Sequence, residues 1–411
     1  MFDIIILSCY AITALIFIVL GIIFILSISR NISAKRYDSR KKRIEPFIND
    51  FILSAAHDYK LTECINKNFL NEKVAVHLLL DRLDFLKGSE ASKIMHFISS
   101  SLCIQKYKDQ TRSKNKWKRA LAASVMGRTR SLQFVNDLIP LLKDENETVV
   151  ISAAVALSRI GEPSSIIYLL HILDSFNRSK IHIIIDCLIE LSHKNIAFAL
   201  PRLIHLLDSS YTHLRRWGCV MLGELFAGEA VPKIQTLVKD LSPEVRSSAV
   251  LALGKIGDSP SYEYISLALL DPDWHVRFNA VKALGELKSP RAIPQLSKAM
   301  LDRQWEVNNQ AVYSLRLVDR TFNSFVNLLH SDFQFIRWRA AEILEIEGFI
   351  DRLIKEFGAK LTEEETEKKT NILRACAHNG ALIPFYWNED NPNEGISMIA
   401  KKIIWEVNTA V

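Results

Sequence analysis

The chain has 411 residues, enough for two or three domains of ordinary size or for one array of repeats. With 49% hydrophobic and 24% charged residues, 14 Gly and 12 Pro, it is neither a low-complexity coil nor a collagen-like scaffold. Its six cysteines, at 9, 64, 103, 187, 219 and 376, form no CxxC pair, which excludes the common zinc-ribbon, thioredoxin-like and iron–sulfur spacings and leaves buried thiols in a reducing compartment.

The formal net charge of +6 is local. Residues 30–44 hold Arg30, Lys35, Arg36, Arg40, Lys41, Lys42 and Arg43 against Asp38 alone, and the remaining chain is balanced at 45 basic and 45 acidic residues. No basic face for nucleic acid is therefore expected in residues 45–411.

Ahead of the basic patch, Ile4 to Ile28 is a run of 25 residues without a charge or a proline. As a helix at about 1.5 Å per residue it would cover roughly 37 Å, enough to cross a hydrocarbon core of about 30 Å. The acidic Asp3 and the length of the run argue against a cleavable signal peptide. The sequence therefore predicts a transmembrane anchor over 1–29 and a basic juxtamembrane linker over 30–44. By the distribution of Lys and Arg, the N-terminus would lie outside and residues 30–411 in the cytoplasm at a cell membrane. The basic patch is either a contact for anionic headgroups or a topology signal alone.

Residues 45–111 read as an irregular helical region, with Pro46 opening one helix toward Ala56 and a second apolar-spaced run from Val74 to Phe85. No chemistry is assigned to it. From about Lys114 the sequence repeats itself. Residues 243–257 (PEVRSSAVLALGKIG), 274–288 (WHVRFNAVKALGELK) and 305–319 (WEVNNQAVYSLRLVD) are copies of one unit. The same apolar position falls at Val149, Leu214, Val245, Val276, Val307 and Ile336, in steps of 65, 31, 31, 31 and 29. The long step hides a degenerate copy near Ile181 to Leu191, and another copy at Trp117 to Gly127 opens the series, so about eight units are expected.

Each unit reads as two helices. In the fifth, Ser242 is placed to cap, Pro243 occupies the first helical position, and Val245, Ala249, Leu253 and Ile256 form one apolar face that Gly257 ends. Second helices start at Ser259-Pro260 and Ser289-Pro290. Small residues recur at Ala249, Ala280, Ala311 and Ala340, where neighbouring helices would approach closely. Neither helix can bury its stripe alone, so the units stack into an all-α solenoid over 112–350. Residues 351–411 depart from the pattern. Leu361 to Lys369 reads as a solvated charged stretch, and Ile372 to Trp387 and Ile396 to Val407 as helical segments of a terminal cap.

These units resemble HEAT repeats of the short bacterial type, similar to those of phycobilin-lyase subunits. The order of anchor, helical region and repeats resembles membrane-anchored bacterial HEAT-repeat proteins, which implies assembly or regulation rather than catalysis. The resemblance also implies that Asp208 with Arg215, Asp240 with Arg246, Asp271 with Arg277 and Asp332 with Arg337 form a structural ladder between repeats, whereas Asp302 and Asp144 face Asn308 and Val150. Trp217 with Arg216, Trp274, Trp305, and Trp338 with Arg339 recur near the starts of first helices, as does Trp117. They are either anchors for a partner or residues packed into the turns that shield the ladder.

No HExxH, GxGxxG, GxxxxGK[ST] or GxSxG motif is present, and neither cofactor, metal nor catalytic residue is expected. The expected function is a membrane-anchored, non-catalytic scaffold or adaptor whose repeats bind one or more proteins, with the curved surface made by second helices, including Tyr262 to Leu270 and Ile293 to Leu301, as the default docking face. The alternative is an accessory subunit of a lyase-type enzyme.

Overall fold

The computed structural model describes residues 102–173, 180–359 and 361–409, with 73–83 and, ahead of 102, residues 27, 32, 34–46, 48–49, 85–86, 91, 95 and 98–99. Among these every regular element is helical. The chain divides into two compact bodies, Met1–Ala199 and Leu200–Val411, each built from helical hairpins.

We label the first helices of successive hairpins. The first body holds α1 (Lys116–Arg128), α2 (Glu147–Ile160) and α3 (Ile181–Lys194). The second holds α4 (Thr212–Glu224), α5 (Pro243–Ile256), α6 (Trp274–Glu286), α7 (Trp305–Val318) and α8 (Gln334–Ile346). Second helices are short and often run into 3-10 turns, as in Ser261–Leu267 continued by Ala268–Leu270, or Pro290–Ala292 leading into Ile293–Ala299.

The repeated apolar positions Val149, Val245, Val276, Val307 and Ile336 are buried, as are Ala249, Ala280, Ala311 and Ala340. Closest approach occurs elsewhere, at a glycine near the end of α1, α4, α5 and α6. A Cβ on Gly127 would lie 2.5 Å from the Ala156 Cβ, and one on Gly254 would lie 2.4 Å from the Ala283 Cβ and 2.7 Å from its Cα. Gly223 faces Ala252 and Gly285 faces Ser314 in the same way, always 29 residues on. First helices therefore stack backbone against methyl, and the 31-residue repeat carries a steric rule as well as an apolar stripe.

Hairpin turns need a left-handed residue after the first helix, and Gly161 and Gly257 supply it at φ of 84° and 74°. Ser242 does not cap α5 with its hydroxyl; its own N–H donates to Asp240 Oδ1 at 2.9 Å, so the aspartate two residues upstream shapes that turn.

Four helices close the second body: α9 (Phe349–Glu356), α10 (Glu363–His378), α11 (Ile383–Asn388) and α12 (Glu394–Thr409). The charged stretch at Leu361 to Lys369 is the beginning of α10. There Thr362 and Glu365 form a capping box, with the Glu365 N–H donating to Thr362 Oγ1 and the Thr362 N–H donating to Glu365 Oε2.

Two expectations near the N-terminus change. Residues 34–46 are already helical, so Pro46 lies in a helix rather than opening one, and Lys35, Arg36, Arg40, Lys42 and Arg43 stand exposed along it with Lys41 half-buried. Arg30 and, apart from residue 27, residues 4–28 lie outside the described residues. Among the described residues no helix is long and apolar enough to cross a membrane, so the single-pass anchor and the membrane orientation inferred from it are not retained.

The glycine contact makes a stability prediction. Gly254→Ala gains about 1 kcal/mol in helix propensity, but the new methyl meets backbone that has to move. The expected net result in urea unfolding is a loss of about 1–3 kcal/mol. Gly228→Ala, where nothing lies within 4 Å, is expected to change stability by less than about 0.5 kcal/mol.

Candidate protein-binding surface

In the second body, the Arg215 Nε and Nη2 donate to Asp240 at 2.8 and 2.9 Å, those of Arg246 to Asp271 at 2.7 and 2.9 Å, and those of Arg277 to Asp302 at 2.7 and 2.9 Å. In the first body Arg119 makes the same fork to Asp144 at 2.6 and 2.8 Å. Each arginine turns its remaining nitrogen to the turn ahead of its own helix, as when the Arg246 Nη1 donates to the carbonyls of Asp240 and Leu241 at 3.0 and 3.2 Å.

The register differs from the six-residue pairing expected from spacing. Asp240 gives its carboxylate to Arg215, 25 residues before it, and only its carbonyl to Arg246. Asp271 likewise takes its side-chain pair from Arg246 and offers its carbonyl to Arg277. Asp302 and Asp144 belong to the ladder, and the signal that finds them is the step of 25 rather than six. Asp208 pairs instead with Lys233. Arg337 donates to the Ser331 carbonyl at 2.7 Å, and 25 residues beyond it stands Thr362, so no fork forms between Arg337 and Asp332 or any later aspartate.

Every ladder aspartate also accepts the N–H two residues on, from Asn146, Ser242, Asp273 and Gln304 at 2.8–2.9 Å. The hydrogen bonds from Arg119 and Arg277 hold the carboxyls of Asp144 and Asp302 below the usual range. Burial opposes ionisation of Asp240, but the Arg215 fork and the Ser242 N–H outweigh it and lower that carboxyl too. The four arginines are raised, chiefly by hydrogen bonds to their aspartates.

The tryptophans are not sealed into the turns. Trp117, Trp305 and Trp338 are exposed, and Trp217 and Trp274 are half-buried. The Arg216 guanidinium sits 4.6 Å from the Trp217 ring, Trp274 stacks on His275 at 3.7 Å, and Arg339 donates to Asn309 Oδ1 at 2.9 Å. Among the described residues of the second body, no ring contact joins Trp217, Trp274, Trp305 or Trp338 to another of them.

What the repeats do gather is a cleft of about 460 Å³ between the second helices of the fifth and sixth hairpins. Leu267, Leu270 and Leu301 line it and are exposed, Leu270 to 76%. The Arg277–Asp302 fork and Lys298, Ser266, Gln295 and Glu263 are its polar lining. The cleft lies on the second-helix surface, Tyr262 to Leu270 and Ile293 to Leu301, that the sequence suggests as the docking face, although helical spacing puts Leu270 in an apolar stripe. Cys187, Cys219 and Cys376 are buried, and burial pushes each thiol up to about 12. Among the described residues no group of three or more His, Cys, Asp or Glu is placed to hold a metal ion.

The stacked hairpins are those of an α-solenoid. A family model described as HEAT repeats matches residues 104–185, 200–266 and 263–316, so the chain carries HEAT repeats. No curated protein matches the sequence. Among solved structures, an engineered protein is 17% identical with a TM-score of 0.36, the match covering 74% of this chain and 98% of that one. Importin beta is 12% identical with a TM-score of 0.47, over 86% of this chain and 59% of importin beta. Kap95p, in a structure describing its binding to RanGDP, is 12% identical with a TM-score of 0.47, over 81% of this chain and 57% of that one. None of these findings favours the lyase-accessory alternative.

Three measurements test the ladder and the thiols. Arg246→Lys keeps the charge but loses the fork, and is expected to cost about 1–3 kcal/mol in chemical unfolding. Because the Asp302 carboxyl is lower in the folded than in the unfolded state, its contribution is complete at neutral pH and drains away as pH falls below about 4. Asp302→Asn should therefore be less stable than wild type at pH 7, with the gap closing on acidification. Iodoacetamide at pH 8 should leave Cys187, Cys219 and Cys376 unlabelled in the native protein and label all three in guanidinium, as mapped by mass spectrometry.

Proposed function

We propose that the protein is a non-catalytic scaffold whose HEAT repeats bind a protein partner through the second body, residues 200–411. The observation that carries this reading is the cleft between consecutive second helices, where three exposed leucines line one concavity. Exposed apolar side chains clustered in a concave site mark binding surfaces more often than scattered ones do. Support for the non-catalytic part comes from the ionisable groups. The strongly interacting Arg and Asp side chains recur from hairpin to hairpin as stacking devices, whereas catalysis calls for one unrepeated constellation.

Such a scaffold works by holding a partner in place, which raises its local concentration without chemistry. Its rigidity follows from the ladder and the glycine contacts, so the binding surface is formed before the partner arrives.

The test is lysine crosslinking of the full chain in lysate of its source cells, followed by affinity capture and mass spectrometry. The expected result is a defined partner at fixed stoichiometry, with crosslinks from Lys233, Lys239, Lys282 or Lys298. Recovery of no defined partner, or crosslinks confined to residues 30–111, would overturn the reading.

A further inference from the structure

The chemistry of the cleft defines its occupant more narrowly than the fold does. Of its charged groups, Asp302 is forked by Arg277, and Glu263 is held by the Arg291 Nη2 at 2.5 Å. Lys298 has no ion-pair partner among the described residues, so the cleft presents one uncompensated positive charge beside its leucines. Two of the lining residues, Ser266 and Gln295, carry oxygens, Oγ and Oε1, that are buried away from the open cleft without a hydrogen-bond partner among the described residues. An unpaired buried acceptor costs stability, and a ligand that supplies a donor recovers it.

These features select among ligands. A purely apolar ligand would fill the space between Leu267, Leu270 and Leu301 and leave Gln295 Oε1 and Ser266 Oγ unpaired. A helix, about 10–12 Å across, has its backbone N–H groups already bonded internally. An extended peptide has free N–H and C=O groups along its edges, and its alternate side chains point to opposite sides. One such side chain can enter the leucine-lined space while a neighbour reaches Lys298. A single lysine is too little charge for nucleic acid, whose binding rests on many phosphate contacts.

We propose that this cleft binds a short extended segment of a protein partner carrying an aliphatic or aromatic side chain beside an aspartate or glutamate. The apolar side chain lies on Leu267, Leu270 and Leu301. The carboxylate meets Lys298, and as the Gln295 and Ser266 side chains turn toward the segment, its backbone N–H donates to Gln295 Oε1 and a backbone carbonyl accepts from the Ser266 hydroxyl. The inference rests on the scaffold reading and deepens it by naming the partner's chemistry.

The experiment is selection of a random dodecapeptide library, displayed on phage, against the purified full chain, with affinities of selected synthetic peptides read by fluorescence anisotropy. Selected peptides are expected to place Leu, Ile, Met or Phe within about three residues of Asp or Glu. Lys298→Glu should weaken them about tenfold, and Leu270→Asp should abolish binding. Both side chains are exposed, so the thermal midpoints of these variants should stay near wild type. Gln295→Met separates binding from folding, because it should weaken the peptide about tenfold while leaving the thermal midpoint unchanged or raised. Trp117→Ala, in the other body, should bind as wild type does. No shared sequence among selected peptides, a shared sequence without a carboxylate, or equal binding to Lys298→Glu would overturn the proposal. Should the crosslinked partner be recovered while the peptides ignore Lys298→Glu, the cleft assignment falls and the scaffold reading stands. Failure of both experiments removes both.

Discussion

The guanidinium–carboxylate fork is the interaction on which the rest of this structure depends. One arginine on a first helix bonds the aspartate that starts the next hairpin, and the same guanidinium bonds carbonyls of the turn before its own helix. It therefore joins three pieces of chain at once: a helix, the turn behind it and the turn ahead. The aspartate closes the arrangement by accepting an N–H two residues on, which sets where the following helix starts. In Arg215–Asp240, Arg246–Asp271 and Arg277–Asp302 the side chains are each less than a fifth exposed, so these contacts are screened less than surface ion pairs are.

Close stacking of the first helices follows from a second constraint, the glycine that faces Ala or Ser 29 residues later. Ladder and glycine contact share the repeat's period but solve different problems. The fork satisfies polar groups at the turns, and the glycine removes the side chain that would hold helices apart. With the first helices drawn together, the second helices at 261–270 and 293–299 keep bulkier residues between them, and the cleft with its exposed leucines lies there. The scaffold and its candidate binding surface thus arise from the same asymmetry between the two helices of each hairpin.

The sequence was informative where one residue type has one physical use. Gly257 could be assigned its left-handed turn because few other residues take that conformation cheaply, and its φ is 74°. Val245, Val276 and Val307 could be assigned to the core because helical spacing puts them on one stripe. The capping box of Thr362 and Glu365 was equally readable, and the charged stretch it opens is solvated, as its composition indicates, as well as helical. A 25-residue apolar run suggested a membrane span, yet no helix among the described residues has the length and apolarity to make one.

By itself, then, the sequence determined the all-helical class, the repeat period, the hairpin plan and the positions of the buried stripe, because periodicity and turn chemistry are local properties of the chain. Only the tertiary structure decided which aspartate each arginine holds. Spacing along the chain favoured the near pair six residues apart, whereas the fork is made across a whole hairpin, 25 residues on. Tertiary structure also decided which residues of the second-helix face form a cleft, and left Leu267, Leu270 and Leu301 open to it. Burial depends on how closely neighbouring helices stack, and that is a property of pairs of hairpins that no single unit carries.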